Sequence, residues 1–209
     1  MESNARVNRL TRAYRPTLDW LSHVYSVMPL QTKPIHIVDV GCGYGDHLRQ
    51  IHQWARDHNL PVILTGIDLN PIAIRVAREA TIPGTLTFLD GSALRYEPPG
   101  GIDIVVTSQM THQLHHGDIV ELLRWMDGST RLGWFVNDLH RQPLPYHLFR
   151  ILSRFTTLHP FVKQEVPVSI RRSFRREDWV SLCSEAAIPD SCFQIREYGP
   201  ARLCVARLK

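Results

Sequence analysis

Little in this sequence points to a membrane or to an oxidising compartment. No run approaches the ~18 uninterrupted apolar residues of a membrane span, and the opening MESNARVNRLTRAYRP is polar, without the apolar core of an export signal. The four cysteines, Cys42, Cys183, Cys192 and Cys204, contain no C-x-x-C pair and no metal-type spacing. Nothing demands a disulfide, and reduced, packed thiols are the expected state. There is no internal repeat and no low-complexity tract, and strand and helix patterns alternate through most of the 209 residues. The expectation is one soluble, cytoplasmic domain over 1–209 that buries a sizeable core.

The charge is unevenly spread. Residues 1–138 hold 12 Lys and Arg against 14 Asp and Glu, whereas residues 139–209 hold 12 against 6. Much of the excess is the run SIRRSFRRED, with Arg171, Arg172, Arg175 and Arg176. Such a run binds nucleic acid in some folds, but beside a helix start it is more commonly a solvated face or a clamp for one acidic group. The interleaved aromatics of an RNA channel are sparse, so nucleic acid is the second reading and a small molecule the first.

The most informative stretch is VDVGCGYGD, Val38 to Asp46. The run IHIVDV before it is short, β-branched and introduced by Pro34, which suits a buried strand. From His47 to Asn59, Leu48, Ile51 and Ala55 recur at spacings of three and four, a helical pattern broken by Pro61. The glycines therefore sit at a strand-to-helix turn, where a Cβ would block both a positive φ and the approach of a ligand to backbone N–H groups. A dinucleotide fingerprint needs G-x-G-x-x-G; here Asp46 stands where its third glycine belongs, and a carboxylate would repel a pyrophosphate. Asp39 adds an acceptor suited to an ammonium. The pattern fits a cofactor that carries an amino group and no phosphate.

The next elements repeat the theme. VILTGID ends in Asp68, placed to accept from both hydroxyls of a ribose, and Asn70-Pro71 reads as the cap and first turn of the following helix. TLTFLD ends in Asp90. Three successive strands thus each deliver an aspartate near their C-terminal ends, and in a parallel sheet those ends line one crevice. A purely structural glycine turn leaves these acids unexplained.

With VDVGCGYGD, GIDLNP, FLDGSAL and IDIVVTSQMTHQL in this order, the chain resembles the class I S-adenosylmethionine-dependent methyltransferases. The resemblance implies a Rossmann-like, doubly wound α/β fold: seven strands, mostly parallel with the last antiparallel, and helices on both faces. It implies S-adenosylmethionine as cofactor, with Gly41, Cys42 and Gly43 at the methionine moiety, Asp39 facing its amino group, Asp68 on the ribose with Leu69 beside it, and Asp90, Gly91 and Ser92 around the adenine. Ser108, closing the fourth strand, completes the cofactor set. GIDIVVTSQ, LGWFVND and the hairpin CFQIREYGPARLCVARL supply strands four to seven, and DIVELLRWM and REDWVSLCSEAA read as helices.

Residues 139–172 exceed a minimal core. Leu148, Ile151, Leu152 and Phe155 fall at helical spacing, the pattern of a lid helix in which Leu148 and Phe155 line an acceptor site. Residues 1–30 read as a helical cap interrupted near Pro16, with Tyr14 and Trp20 toward the pocket. Core packing is the commoner reading of such apolar stripes, and it is compatible with a lid. Methyl transfer to a hydroxyl whose pKa lies near 10 calls for a base, and two histidines stand beyond strand ends: His140, with Asp138 to orient it, and His112. Both are expected to touch the acceptor. His115 and His116 belong to a solvated loop. His112, His115, His116 and Asp118 lie too close together, without a distant ligand, for a metal site, and none is expected. NDLHRQPLPYHLFR and VSIRRSFRREDW resemble a bacterial subgroup of small-molecule methyltransferases of aromatic polyketide or quinone-type pathways. The expected activity is O-methylation of an aromatic or apolar small molecule. The alternatives are an RNA methyltransferase using the arginine run, and a binding protein that keeps the fold without turnover.

Overall fold

The computed structural model describes residues 13–28, 33–141, 173–199 and 201–209. Its elements are α1 (Arg15–Val27), β1 (Ile35–Val40), α2 (Asp46–Asp57), β2 (Val62–Asp68), α3 (Pro71–Glu79), β3 (Thr87–Asp90), β4 (Ile102–Ser108), α4 (His116–Ser129), β5 (Thr130–Leu139), α5 (Arg176–Glu185), β6 (Gln194–Tyr198) and β7 (Arg202–Leu208). The seven strands form one sheet in the order β3-β2-β1-β4-β5-β7-β6. β1 to β5 are parallel, and β7 runs antiparallel between β5 and β6. The Rossmann-like architecture with its closing hairpin is the expected one.

The strand order reverses between β1 and β4, so the carboxyl ends of these two neighbours diverge into a crevice. All six residues of β1 are buried, as a central parallel strand covered on both faces requires. Alternating side chains feed two cores. Val38, Val105, Trp134 and Leu203 join α4 and α5 on one face; Ile37, Ile104, Phe135 and Cys204 join α1 and α2 on the other. No helix among the described residues is long and apolar enough to cross a membrane.

Local chemistry sets the helix starts. Asn70 Oδ1 accepts from the N–H groups of Ile72 and Ala73 at 3.0 and 3.3 Å, and Pro71 occupies the first turn of α3, satisfying donors that the helix cannot. The described helix begins at Arg15, with Pro16 in its first turn behind Tyr14, where a missing N–H costs nothing; residues 1–12 of the expected cap lie outside the described residues. α1 then buries Trp20, Leu21 and Val24 against the sheet, with Trp20 stacked 5.1 Å from Phe135.

Candidate active site

The crevice is built from the glycine turn outward. Gly41 has φ +69° and Gly43 φ +53°, a region that side-chain-bearing residues rarely adopt. A Cβ on Gly41 would stand 2.4 Å from Met110 Cγ, so the loop after β4 closes directly onto the turn. Above Gly43 nothing lies within 4 Å of where a Cβ would be. The backbone there is bare toward the crevice. We expect Gly41→Ala to cost about 1–3 kcal/mol from the left-handed φ and the overlap with Met110. A thermal melt should show a Tm lower by roughly 2–10 °C; an unchanged Tm would mean that Met110 does not pack here.

Asp39 is 1% exposed, and its Oδ1 lies 3.1 Å from His47 Nδ1. Its Oδ2 is buried and has no hydrogen-bond partner among the described residues, and neither has Nε2 of His47. A buried, half-used carboxylate costs free energy unless a donor completes it, and an ammonium at the turn would do so. Tyr14 stacks on the His47 ring with centroids 5.8 Å apart, so the start of α1 covers this acid. The sequence reading missed His47. Its only signal was its position in the first turn of the helix behind the glycines.

Asp68 closes β2 with both oxygens aimed by backbone: Oδ2 accepts from Gly43 N–H and Oδ1 from Asn70 N–H, each at 2.8 Å. Each oxygen keeps lone-pair capacity for a ribose hydroxyl. Leu69 beside it is 74% exposed, an apolar surface without a described apolar partner. Asp90 pairs in register with Asp68 and meets Arg78 at 3.6 Å. Gly91 donates its N–H to Asp68 O at 2.9 Å, with open space over its Cα, and Ser92 precedes a single 3-10 turn. At the end of β4, Ser108 Oγ is buried without a hydrogen-bond partner among the described residues. The side chain of Cys42 instead turns into the core, where burial and the nearby Asp39 push its thiol far above the usual range. Only the Cys42 backbone is at the turn. Asp46 does not face the crevice either: it holds Arg49 at 2.6 Å.

Beyond β4 the chain makes a short turn through Thr111, His112 and Gln113, and here a sequence expectation is corrected. Asp138 does not orient His140. Its carboxylate, wholly buried, accepts from His112 Nδ1 at 2.7 Å, His112 N–H at 3.0 Å, Leu139 N–H at 2.7 Å and the Thr111 hydroxyl. The cause is the parallel pairing of β4 and β5, which lays the turn after Ser108 over the end of β5. His140 is buried instead beside Glu197, with Nδ1 3.7 Å from Oε2, while its backbone N–H bonds Ala201 O. His116 pairs with Glu185 at 2.8 Å on the surface. Leu148 and Phe155 lie outside the described residues.

Burial alone would raise the pKa of Asp138, but the hydrogen bonds and charge of His112, with the bonds from Thr111 and Leu139, outweigh it and hold it below the ordinary 3.8. A carboxyl whose folded pKa is depressed lends stability at all pH above its unfolded value and loses it as the pH falls through the folded value. Acid titration of unfolding should therefore show a loss below about pH 4 that is absent in Asp138→Asn. Identical acid limbs would remove Asp138 from that transition.

A methyltransferase-domain family model matches residues 37–133, from β1 into β5. These residues form a class I S-adenosylmethionine-dependent methyltransferase domain. Among solved structures, the plantazolicin methyltransferase BamL, in complex with a triazolic desmethylPZN analog and SAH, superposes with a TM-score of 0.72 at 16% identity, over 100% of this chain and 90% of that one. The magnesium protoporphyrin IX methyltransferase ChlM of Synechocystis PCC 6803, with SAH bound, gives 0.61 at 10% identity over 98% and 84%. A putative O-methyltransferase of Nostoc punctiforme PCC 73102 gives 0.64 at 16% identity over 98% and 59%. No curated protein sequence matches the chain.

The methyltransferase crevice suits its cofactor on this chain's own features: the bare backbone over Gly43, the half-used carboxylate of Asp39, the paired acceptors of Asp68 and the exposed Leu69. S-adenosylmethionine, when bound, supplies an electrophilic methyl group on a sulfonium. Asp68→Ala should weaken S-adenosylhomocysteine binding by roughly 1–3 kcal/mol, as loss of a charged acceptor does. Wild-type affinity by calorimetry would place the ribose elsewhere.

Proposed function

We propose that this methyltransferase transfers the methyl group to a hydroxyl of an aromatic or apolar small molecule, with His112 as general base and Asp138 as its positioning partner. The observation that carries the reading is the His112–Asp138 pair at 2.7 Å, set in the loop whose Met110 touches the glycine turn. A carboxylate bonded to Nδ1 fixes the ring's tautomer and stabilises the imidazolium that forms when Nε2 takes a proton. His112 makes no hydrogen bond through Nε2 to a described residue. In-line transfer depends mostly on alignment of the acceptor oxygen; the base raises the fraction ionised at that moment.

His140 ranks behind His112 as the base, because Glu197 is exposed and stands farther from its ring. The match to a putative O-methyltransferase supports oxygen as the atom methylated, and the structural likeness to methyltransferases of small molecules supports a natural-product or quinone-like route. Four cysteines, all free, support a cytoplasmic place of action. The arginine run is a weaker basis for RNA: Arg175 N–H bonds Asp178 at 2.7 Å and Arg176 donates to Ile195 O at 2.7 Å, which ties both residues to the local fold.

The test is incubation with methyl-labelled S-adenosylmethionine and a panel of phenols, their O-methyl ethers and a transfer RNA. Label entering phenols but not their ethers supports the reading. Label in RNA, with a steep inverse dependence on salt, would replace it.

A further inference from the structure

Arg202 opens β7, paired with Leu139 of β5 on one side and Tyr198 of β6 on the other. Because β7 is antiparallel, its first residue lies at the carboxyl end of the parallel strands, the same end as the crevice. The residue is 6% exposed, and its Nη1 is sealed from solvent with no hydrogen-bond partner among the described residues. Arg131, Arg141 and Arg207 each meet an aspartate at 2.8 or 2.9 Å; Arg202 forms no such pair among the described residues. A guanidinium so buried is costly unless an anion completes it.

Asp138 is close enough to bias Arg202 electrostatically, against the burial that lowers its pKa. The same carboxylate already accepts four hydrogen bonds, from Thr111, His112 twice and Leu139. Asp138 therefore balances part of the charge without taking up Nη1 of Arg202, which stays without a hydrogen-bond partner among the described residues. The planar fork of a guanidinium fits a carboxylate bidentately.

The sheet order separates the candidate sources. The cofactor residues sit on β2, β1 and the end of β4, whereas Arg202 is three strands from Asp39 and two from the His112 turn. Two strand spacings are about 10 Å, a distance that an arginine side chain and an aromatic ring together bridge. We propose that Arg202 binds a carboxylate carried by the acceptor, so that the substrate class is a hydroxylated aromatic acid, its hydroxyl at His112 and its acid group at β7. This rests on the reading of His112 as the base.

The experiment uses the whole protein loaded with S-adenosylhomocysteine, and a set of hydroxybenzoates and hydroxycinnamates, each with its methyl ester. Binding is measured by calorimetry on the wild type, Arg202→Met and Arg202→Lys. In the wild type at least one acid should bind about 10–100-fold tighter than its ester, the value of a charge-assisted pair. That preference should vanish in Arg202→Met and survive in part in Arg202→Lys, with S-adenosylhomocysteine affinity unchanged in both. No preference for any acid in the wild type, or a preference undiminished in Arg202→Met, overturns the proposal. A tenfold loss of S-adenosylhomocysteine affinity in Arg202→Met would assign the guanidinium to the cofactor's own carboxylate, which also overturns it. Label transfer to neutral phenols would leave the methyltransferase reading intact in any of these cases. Should Arg202→Met fail to fold, the acid preference of Arg202→Lys against the wild type decides.

Discussion

His112→Asn should lower kcat by about 10²–10⁴-fold, the usual worth of a positioned base, while leaving S-adenosylhomocysteine affinity nearly unchanged. Asparagine is the informative replacement because its amide can still donate to Asp138, where alanine would strand a buried carboxylate. What it lacks is an equivalent of Nε2. For a phenolic acceptor with a pKa near 10, raising the pH should partly restore the rate of the variant, since solvent then ionises the hydroxyl. The same change at His140 should cost less than about threefold if His112 is the base. A large loss at His140 with an intact His112 variant would reverse the assignment.

Asp138→Ala should give the largest loss of stability. The side chain is wholly buried and accepts four hydrogen bonds, and removing one partner of a buried charged pair costs about 3–5 kcal/mol. That corresponds to a fall in Tm of roughly 6–20 °C for a chain of this size. In the isosteric Asp138→Asn variant the folding loss should be smaller, but kcat should still fall by about 10²–10⁴-fold, because an amide neither fixes the tautomer nor balances an imidazolium. The two effects should also be non-additive: a His112→Asn, Asp138→Asn double variant should be little slower than either single one. Additive losses would mean that the residues do not act together.

The elements that carry the candidate cofactor residues were legible in the sequence because they are local. A β-branched strand, a glycine turn and a helix follow one another from Ile35 to Asp57, and the strand-end acids Asp39, Asp68 and Asp90 were placed by topology alone. The acceptor half depends on contacts between elements far apart in the chain. Asp138 lies two residues from His140 in sequence, yet its partner is His112, 26 residues away, brought over by the pairing of β4 with β5. Arg202 carried no signal at all, being one arginine among many until the antiparallel strand set it at the crevice end. Tyr14 and His47 were similarly opaque as a pair, since the stack between them needs α1 folded across the glycine turn.

That the strand-end crevice holds the cofactor, with His112 at its far side, can be read by following backbone amide and histidine ring resonances during titration with S-adenosylhomocysteine. The amides of Gly43 and Gly91 and the ring of His112 should shift together and saturate at one equivalent, as one ligand bridging the ends of β1 and β3 and the β4 turn requires. A cavity of about 650 Å³ lies instead between α1 and the β6–β7 hairpin, lined by Trp20, Tyr198 and Arg207 among others. Shifts confined to those residues, or none at saturating ligand, would contradict the assignment.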